Sequence, residues 1–325
     1  MALIKGKKRY WLAGAAAAAA IRYAIRRRRI YDLYGKVVLV TGSSHGLGLL
    51  LAREFANRGA KIVLCDNRPD DVERARIDMV KRGATVLAHV CDVTRLEDVK
   101  NLISVVRKHF GDVDVLVNNA GAVQSGPMQD MRIEDYEDAM RVHFWAPLYA
   151  TLEVLPSMRT RKQGRIVNIS SLSGKVSVPY LLPYSASKFA LVGLSEGLRT
   201  ELVADNVFVT TVCPGLIRPG MSATGEDEKT SEEDEWLALS ESFPLAATSA
   251  DSAARKIVEA TIHGDAEIVL SVPARIATIA RALFPEPVSD TMALVNQALP
   301  TTSSACEQPD EEPLADASSA RSLQR

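Results

Sequence analysis

The chain has 325 residues, of which 47% are hydrophobic and 24% are charged, the proportions of an ordinary globular protein. This length accommodates one large domain with appendages, or two small domains. The net charge of −1 argues against a nucleic-acid-binding protein, although the N-terminal segment is strongly basic and the C-terminal tail is acidic.

The four cysteines are widely spaced, and no two of them have the spacing of paired metal ligands. Three lie inside apolar, strand-like runs. This pattern predicts buried, reduced thiols in a cytoplasmic protein without a bound metal, rather than a disulfide framework or a zinc site. The cysteines are Cys65, Cys91, Cys213 and Cys306.

The N-terminal segment, residues 1–34, does not follow the pattern of the rest of the chain. Basic residues precede an alanine-rich run from Tyr10 to Ile21, and Arg22 ends it. The run is shorter than the roughly 20 apolar residues of a membrane-spanning helix, and the arginines after it are unlike a signal-peptide cleavage site. Two interpretations stay open: a helix lying on an anionic membrane surface, and a solvated, partly helical tail.

Strands alternate with helices from residue 35 to residue 272. Apolar strands in repeated βαβ units predict an α/β fold, a doubly wound parallel sheet of the Rossmann type in one domain. Ligands of such sheets bind beyond the carboxyl ends of the strands. The predicted strands are Val37–Val40, Lys61–Cys65, Thr85–Val90, Val113–Val117, Arg165–Ile169, Val207–Val212 and Glu267–Leu270.

A glycine-rich turn joins the first strand to a helix that begins near Leu47. Gly42, Gly46 and Gly48 lack the Cβ atoms that would keep a phosphate away from the backbone. The helix N-terminus directs its N–H groups at the same place, which favours a dinucleotide pyrophosphate as the ligand. A tight turn without any ligand also needs glycine, so that alternative stays open on these residues alone.

Asp66 follows the second strand, at the distance from the glycine turn where a carboxylate contacts the adenosine ribose. Its oxygens can accept hydrogen bonds from the ribose hydroxyls, and its charge repels a 2′-phosphate. The residue therefore favours NAD over NADP, while the nearby Arg68 keeps NADP as an alternative.

Six motifs then occur in a fixed order along most of the chain. They are TGSSHGLG (Thr41–Gly48), CDV (Cys91–Val93), NNAG (Asn118–Gly121), NISS (Asn168–Ser171), YSASK (Tyr184–Lys188) and Pro214–Gly215. With these motifs, the chain from about Lys36 to Leu270 resembles the short-chain dehydrogenase/reductase family. The resemblance implies a single Rossmann domain, a nicotinamide cofactor, interconversion of an alcohol and a carbonyl compound, and assembly into homodimers or homotetramers.

The resemblance also implies roles for individual residues. Asp92 contacts the adenine side, Asn118 steadies the central strand and the cofactor, and the segment after Pro214 shapes the substrate pocket. The implied cofactor-binding residues are Gly42, Ser44, His45, Gly46, Leu47, Gly48, Asp66, Asp92, Val93, Asn119, Ala120, Gly121, Tyr184, Lys188, Pro214 and Gly215.

Tyr184 and Lys188 are four residues apart, so they share one face of a helix. An unperturbed tyrosine has a pKa of about 10, and we expect the ammonium group and an oxidised nicotinamide ring to lower it. Tyr184 then exchanges a proton with the substrate oxygen while hydride passes between the substrate and the nicotinamide. Ser171, just past a strand end, hydrogen-bonds the same oxygen.

Three positions depart from the family pattern. His143 stands where the family often has a catalytic asparagine that supports a proton-relaying water, and a histidine has an ordinary pKa close to neutral. Either it continues the relay in altered form, or it is a satisfied helix histidine. Pro219 replaces a threonine that often contacts the cofactor carboxamide, and His45 stands where NADP-dependent members often have a basic residue. The predicted catalytic residues are Ser171, Tyr184, Lys188, Asn118 and His143.

The loop between Ser171 and Tyr184 is apolar and predicts an apolar alcohol or ketone as substrate, such as a steroid-, retinoid- or fatty-acyl-derived compound. The acidic stretch 222–243 is interpreted as a lid over the site or, equally, as a solvated surface helix. Residues 273–300 predict a helical extension broken by Pro285 and Pro287, and residues 301–325 predict disorder.

These observations together predict an oxidoreductase that uses NAD, with NADP as the alternative, and a tyrosine as general acid and base. Its partners are then an apolar small molecule, other copies of itself and, if residues 1–34 form a surface helix rather than a solvated tail, the surface of a membrane. A rival interpretation, motivated by His143 and Pro219, is a dinucleotide-binding sensor or scaffold with little or no turnover. Ser171, Tyr184 and Lys188 are all present, which favours the enzyme.

Overall fold

A computed structural model describes residues 20–218 and 248–298. Seven parallel strands form the central sheet in the order β3-β2-β1-β4-β5-β6-β9, and two short strands, β7 and β8, form a second sheet. The strands are β1 (Val37–Thr41), β2 (Lys61–Asp66), β3 (Val86–Val90), β4 (Val115–Asn118), β5 (Gly164–Ile169), β6 (Val207–Cys213), β7 (Ile217–Arg218), β8 (Thr248–Ser249) and β9 (Glu267–Val269).

The predicted fold, a doubly wound parallel sheet, is confirmed. All seven predicted strands are present, with ends that differ by two residues at most. Central strands such as β1 and β5 are buried along their whole length, as expected of parallel strands covered on both faces. The strand order reverses between β1 and β4, and a crevice for ligands lies at such a switch point.

Helices cover both faces of the sheet. One face packs on α2, α3 and α8, and the other on α4, α6 and part of α7. The helices are α1 (residues 20–28), α2 (Gly46–Asn57), α3 (Pro69–Lys81), α4 (Leu96–His109), α5 (Ile133–Met140), α6 (Ala146–Arg161), α7 (Leu182–Leu202), α8 (Ala250–His263), α9 (Val272–Leu283) and α10 (Pro285–Ala298). A π-helical turn, Arg141–Trp145, joins α5 to α6.

The end of the N-terminal segment packs on the domain. Tyr31 and Leu33 are only 6% and 3% exposed and belong to the same hydrophobic core as β1. Arg26 makes two hydrogen bonds of 2.9 Å to the carboxylate of Asp265. The predicted domain boundary after residue 34 stays a prediction. The residues just before it, Tyr31 and Leu33, are part of the packed core.

The C-terminal extension forms two helices, α9 and α10, which are separated at Phe284, directly before Pro285. In the described part of the chain, no helix is both long enough and apolar enough to cross a membrane. Cys65, Cys91 and Cys213 are buried free thiols, as predicted. Pro219, the acidic stretch 222–243, the tail 301–325 and Cys306 lie outside the described residues.

Candidate active site

The glycine-rich turn after β1 leaves a space that only glycine permits. Gly42 and Gly46 have positive φ angles of 60° and 52°, which L side chains adopt with strain. A Cβ atom on Gly48 would lie 2.0 Å from the carbonyl oxygen of Gly42, whereas a Cβ on Gly46 would have no neighbour within 4 Å. The turn is therefore tightly packed at Gly48 and open at Gly46, on the side where α2 begins.

The N-terminus of α2 is suited to an anion. Its N-cap residue, His45, makes no side-chain cap hydrogen bond, and the first turn contains no acidic residue. The free N–H groups and the positive end of the helix dipole thus face the open side of the turn, and the nearby Asp66 carboxylate accepts hydrogen bonds from the N–H and hydroxyl groups of Ser44, just before the helix. The pyrophosphate of a dinucleotide fits this arrangement, with Ser44, Leu47 and the turn glycines around it.

The NNAG segment after β4 holds the glycine-rich turn in place. Asn119 donates from its side chain to the carbonyl oxygens of Thr41 and Gly42, at 3.0 and 2.9 Å. The backbone N–H groups of Asn119 and Ala120 both donate to the hydroxyl of Thr41, at 3.0 Å each. These contacts assign the segment a structural role, and its predicted contact with a cofactor stays a prediction.

Asp66 lies at the end of β2, beside the same turn. Its carboxylate accepts hydrogen bonds from the hydroxyl of Ser44 at 2.5 Å and from the N–H of Asn67 at 2.8 Å. Arg68 lies beside the same turn. Its guanidinium pairs with Asp71 at 2.6 Å and contacts a ring nitrogen of His45 at 3.2 Å. A negative charge therefore lies where the ribose of a bound dinucleotide is expected.

The other predicted cofactor residues lie at the carboxyl ends of their strands. Asp92 accepts hydrogen bonds from the N–H and hydroxyl groups of Thr94, at 3.0 and 2.7 Å, and Val93 is buried. The carbonyl oxygen of Pro214 accepts a hydrogen bond of 2.7 Å from Leu172. Gly215 packs closely on the side chain of Ser271.

Ser171, Tyr184 and Lys188 come together at the carboxyl end of β5. Ser171 begins a short 3₁₀ turn after β5, and its hydroxyl accepts a hydrogen bond of 3.1 Å from the N–H of Ser173. Tyr184 and Lys188 lie one turn apart on α7, and the Lys188 ammonium is 5.4 Å from the centre of the Tyr184 ring. Lys188 also donates to the carbonyl oxygen of Ile169 at 3.0 Å.

Burial dominates the protonation of this cluster. It raises the pKa of Tyr184 to about 12, although the hydrogen bond with Ser171 acts in the opposite direction. The same burial lowers the pKa of Lys188 to about 7. The expected lowering of the tyrosine pKa is therefore not present in the protein alone, because loss of solvation outweighs the hydrogen bond with Ser171.

His143 is buried in the π-helical turn, and both of its ring nitrogens have protein partners. The N–H of Ala122 donates to Nε2 at 3.3 Å, so the proton of the neutral ring is on Nδ1. Nδ1 lies 2.8 Å from the hydroxyl of Ser187, which itself donates to the carbonyl oxygen of Tyr184 at 2.8 Å. His143 thus connects the NNAG loop to the helix that carries the tyrosine.

The electrostatics of His143 exclude the expectation that it titrates near neutral pH. Burial, with a smaller contribution from Lys188, lowers the pKa of the imidazole well below its ordinary value. The ring of Tyr184 packs edge-on against it, with centroids 5.2 Å apart. The alternative of a satisfied helix histidine agrees with this geometry.

Asn118 is part of a buried chain of amides. Its side chain donates to Asn168 at 2.8 Å, Asn168 donates to the hydroxyl of Ser195 at 2.8 Å, and Ser195 donates to the carbonyl oxygen of Leu191 at 2.7 Å. The chain joins β4, β5 and α7. Asn118 therefore steadies the central strands, as expected, and its direct action on a cofactor stays a prediction.

Two contributors were not identified from the sequence. Ser187 lies three residues after Tyr184 and bonds to His143, and its position in YSASK was the signal that could have revealed it. Gly121 was predicted only as a cofactor residue. A Cβ on Gly121 would lie 2.9 Å from Nε2 of His143 and 3.6 Å from the ammonium nitrogen of Lys188, so this glycine lets the two side chains approach the same point.

The comparisons with known proteins agree with the motifs and contacts described above. A family model described as short chain dehydrogenase matches residues 36–230. A dehydrogenase/reductase SDR family protein 7-like from Anopheles gambiae is 39% identical over 201 residues, which are 60% of this chain and 63% of that protein. Human estradiol 17-beta-dehydrogenase 11 is 38% identical over 200 residues, which are 59% of this chain and 65% of that protein. The chain therefore matches less than two thirds of either relative.

Solved structures share the fold. A short-chain dehydrogenase from Streptomyces avermitilis superposes with a TM-score of 0.68 at 28% identity, covering 81% of this chain and 98% of that protein. A short chain dehydrogenase/reductase from Burkholderia phymatum, solved in complex with NAD, gives the same TM-score at 24% identity over 85% of this chain and 99% of that protein. The second likeness concerns the fold alone.

Proposed function

We propose, because the chain belongs to the short-chain dehydrogenase/reductase family, that it interconverts an apolar secondary alcohol and the corresponding ketone. The observation that supports this most directly is the cluster of Ser171, Tyr184 and Lys188 at the carboxyl edge of the sheet. A bound nicotinamide dinucleotide would supply the hydride acceptor or donor. The glycine-rich turn, the N-terminus of α2 and Asp66 are the groups that would hold it.

The side chains divide the proton chemistry between them. Ser171 hydrogen-bonds the substrate oxygen and fixes it near the phenol of Tyr184. Tyr184 removes the proton from the alcohol during oxidation, or supplies it to the ketone oxygen during reduction. Lys188, with a pKa of about 7, changes its charge near neutral pH and can pass a proton between the buried phenol and solvent.

Replacement of Tyr184 by phenylalanine tests the enzyme against the sensor. We expect the rate of alcohol oxidation to fall by about a hundredfold or more, because the proton acceptor is lost, while the affinity for dinucleotide, measured by calorimetry, changes little. Tyr149→Phe is a matched control, since Tyr149 lies on α6 and stacks on Trp145. A wild-type protein that binds dinucleotide but oxidises no alcohol would support the sensor instead.

Asp66 supports a preference for NAD over NADP. Its carboxylate is fixed by Ser44, and the nearest arginine, Arg68, is paired with Asp71. A 2′-phosphate would therefore meet an anion without a free cation beside it. Asp66→Ala should reduce the preference for NAD at least tenfold, by about 1.4 kcal/mol, in a comparison of kcat/KM for the two cofactors. An unchanged preference would contradict this assignment.

An apolar substrate agrees with the steroid substrates in the names of several similar proteins. Human 17-beta-hydroxysteroid dehydrogenase 13 is 34% identical over 205 residues, which are 62% of this chain and 68% of that protein. In this chain Val176 and Leu181 are buried in the loop before Tyr184. A panel of steroid, retinoid and long-chain alcohols, each assayed with NAD and NADP, tests the class. Turnover of small sugars alone would contradict it.

The described part of the N-terminal segment supports contact with an anionic membrane surface. Ile21 and Tyr23 on α1 are 61% and 62% exposed, and Arg22, Arg27 and Arg28 lie on the same short helix. Such a mixture of apolar and basic groups suits a lipid headgroup region. Glutamate at these three arginine positions should abolish co-flotation with phosphatidylserine vesicles, and equal flotation of wild type and variant would contradict the proposal.

Self-association is supported by exposed apolar side chains on two helical regions. Trp145 and Leu152 lie on the π-helical turn and α6, and Phe189 lies on α7; all three are exposed. Apolar groups of this size are often covered in an oligomer. Light scattering of wild type and of Leu152→Glu tests this, because a dimer or tetramer that uses this surface should dissociate in the variant.

A further inference from the structure

The loop that follows β4 is tied to the active site at two points. The N–H of Ala122 donates to Nε2 of His143, and the N–H of Gly126 donates to the carbonyl oxygen of Tyr180 at 2.8 Å. Gln124 lies midway between these two ties. Since two residues of chain span at most about 7 Å, the backbone of Gln124 is held close to both the His143 side and the substrate loop.

The second contact, the hydrogen bond from Gly126 to Tyr180, involves an unfavourable backbone conformation at Tyr180. Tyr180 has a φ of 64°, a left-handed conformation that costs a non-glycine residue about 1 kcal/mol. The peptide that includes its carbonyl oxygen is turned toward Gly126 in this conformation. The loop that carries Gln124 is therefore fixed on both sides rather than free to turn its side chain into solvent.

The side-chain oxygen of Gln124 is buried and has no hydrogen-bond partner among the residues that the structure describes. Leaving a buried acceptor unpaired costs about 1–3 kcal/mol, so such a group is a candidate for contact with a ligand. The loop joined to this segment through Tyr180 contains the buried apolar side chains Val176 and Leu181. A polar side chain beside an apolar loop is the kind of group that orients a ligand in its pocket.

We infer that Gln124 recognises a second hydroxyl group of the substrate, at a distance from the carbon that is oxidised. This inference rests on the proposed function and refines its substrate class from an apolar alcohol to an apolar diol or hydroxyketone. A hydroxyl group suits an amide in both of its planar orientations, because it can donate to the oxygen or accept from the nitrogen. Gln124 is thus a specificity-determining residue, whereas Tyr184 and Ser171 handle the reacting oxygen.

Matched substrates test the inference. One compound is a long branched secondary alcohol, and its partners carry an additional tertiary hydroxyl at successive positions further along the chain. A tertiary hydroxyl cannot be oxidised to a ketone, so NADH formation reports only the secondary alcohol. For the wild type we expect kcat/KM to be about tenfold higher with the best diol, mainly through a lower KM.

Gln124→Leu should remove this preference, so that the ratio of kcat/KM for the best diol to kcat/KM for the plain alcohol falls from about ten to about one. Gln129→Leu is the matched control, since Gln129 is an exposed glutamine in the same connection after β4, and it should keep the wild-type preference. In thermal unfolding without ligands, Gln124→Leu should be as stable as the wild type or more stable, because an unpaired buried acceptor is removed.

Four results would overturn the inference. Equal rates of wild type with the alcohol and every diol would remove the role of Gln124 while leaving the proposed function intact. A preference that persists in Gln124→Leu, or a marked loss of thermal stability in that variant, would show that the amide is structural. Oxidation of none of the compounds, with either cofactor, would contradict the proposed function and the inference with it.

Discussion

The central sheet has a buried cation near each end, and the pKa values of the two cations differ. At the carboxyl end, Lys188 is 4% exposed and burial lowers its pKa to about 7. At the amino end, Arg165 is 3% exposed, and burial lowers its pKa only to about 10. Equal burial therefore yields a group that changes charge near neutral pH at one end and a permanent cation at the other.

Arg165 stays charged because a guanidinium has a higher ordinary pKa than an ammonium group, and its surroundings satisfy the buried charge. It donates to the carbonyl oxygens of Gly164, Thr261 and Arg29, at 3.0, 3.0 and 2.7 Å. Its guanidinium also lies over two aromatic rings, 4.4 Å from the centre of Tyr31 and 4.8 Å from that of Phe208. A planar group with five donors can be satisfied in this way without a carboxylate.

The surroundings of Lys188 suit a proton-exchanging group instead. Its ammonium donates to the carbonyl oxygen of Ile169 at 3.0 Å and lies 5.4 Å from the centre of the Tyr184 ring. A Cβ atom on Gly121 would lie 3.6 Å from it, so the glycine leaves room beside the ammonium group. The difference teaches that burial alone does not define a functional cation. The ordinary pKa of the group, together with the number and kind of its partners, decides whether it stabilises the fold or exchanges protons.

Exchange of each cation for methionine gives the largest expected effects. Lys188→Met should lower alcohol oxidation about a hundredfold or more and leave the free energy of unfolding unchanged or higher, because a buried titratable group is removed. Arg165→Met should lower the free energy of unfolding by about 3 kcal/mol, because three carbonyl groups lose their donor, while the folded fraction stays active. Urea titrations and initial rates distinguish the two, and a reversal of the pattern would refute the comparison.

Removal of the His143 side chain should have the next largest effect. His143→Ala leaves the Ala122 N–H and the Ser187 hydroxyl without this partner, so Tyr184 is less well positioned and kcat should fall about tenfold. His143→Asn should recover part of the loss, because an amide can also accept and donate. The pH profile of all three proteins should have the same inflections between pH 5.5 and 8, and loss of an inflection in His143→Ala would show a titrating histidine.

The pH dependence of stability sharpens the contrast between the cations. The pKa of Lys188 is lower in the folded protein than in the unfolded chain, so above pH 7 the unfolded state binds more protons and stability rises with pH. Between pH 7 and 8.5 the wild type should therefore gain stability relative to Lys188→Met. The lowered pKa of His143 acts below this interval, and the raised pKa values of Tyr184 and Cys213 act above it.

The smallest effect is expected at the ion pair between Arg26 and Asp265. It is partly exposed, so Arg26→Ala should cost less than about 1 kcal/mol, and the cost should shrink further in high salt. Arg27→Ala is the control on the same helix and should have no measurable effect on unfolding. A loss of unfolding free energy as large as that of Arg165→Met would show that α1 is held to the domain by this ion pair rather than by the contacts around Arg165, Tyr31 and Phe208.

The strands of the sheet could be predicted from the sequence because a buried parallel strand is a local run of apolar residues, such as Val37–Val40. The sequence predicted the encounter of Ser171, Tyr184 and Lys188 because parallel strands place their carboxyl ends at one edge. It could not predict the bond between His143 and Ser187, which joins residues far apart in the chain. It also did not predict that burial raises the pKa of Tyr184 in the protein alone, since a motif contains neighbours but no measure of solvation.

The burial of Tyr31 has a practical consequence for anyone who shortens the protein. A fragment that begins at residue 35 would keep every motif of the family, yet it would leave the guanidinium of Arg165 with one aromatic face fewer and the carbonyl of Ile262 without its donor. Shortened versions made for crystallisation should begin before Arg26, so that residues 26–33, which pack on the domain, are retained.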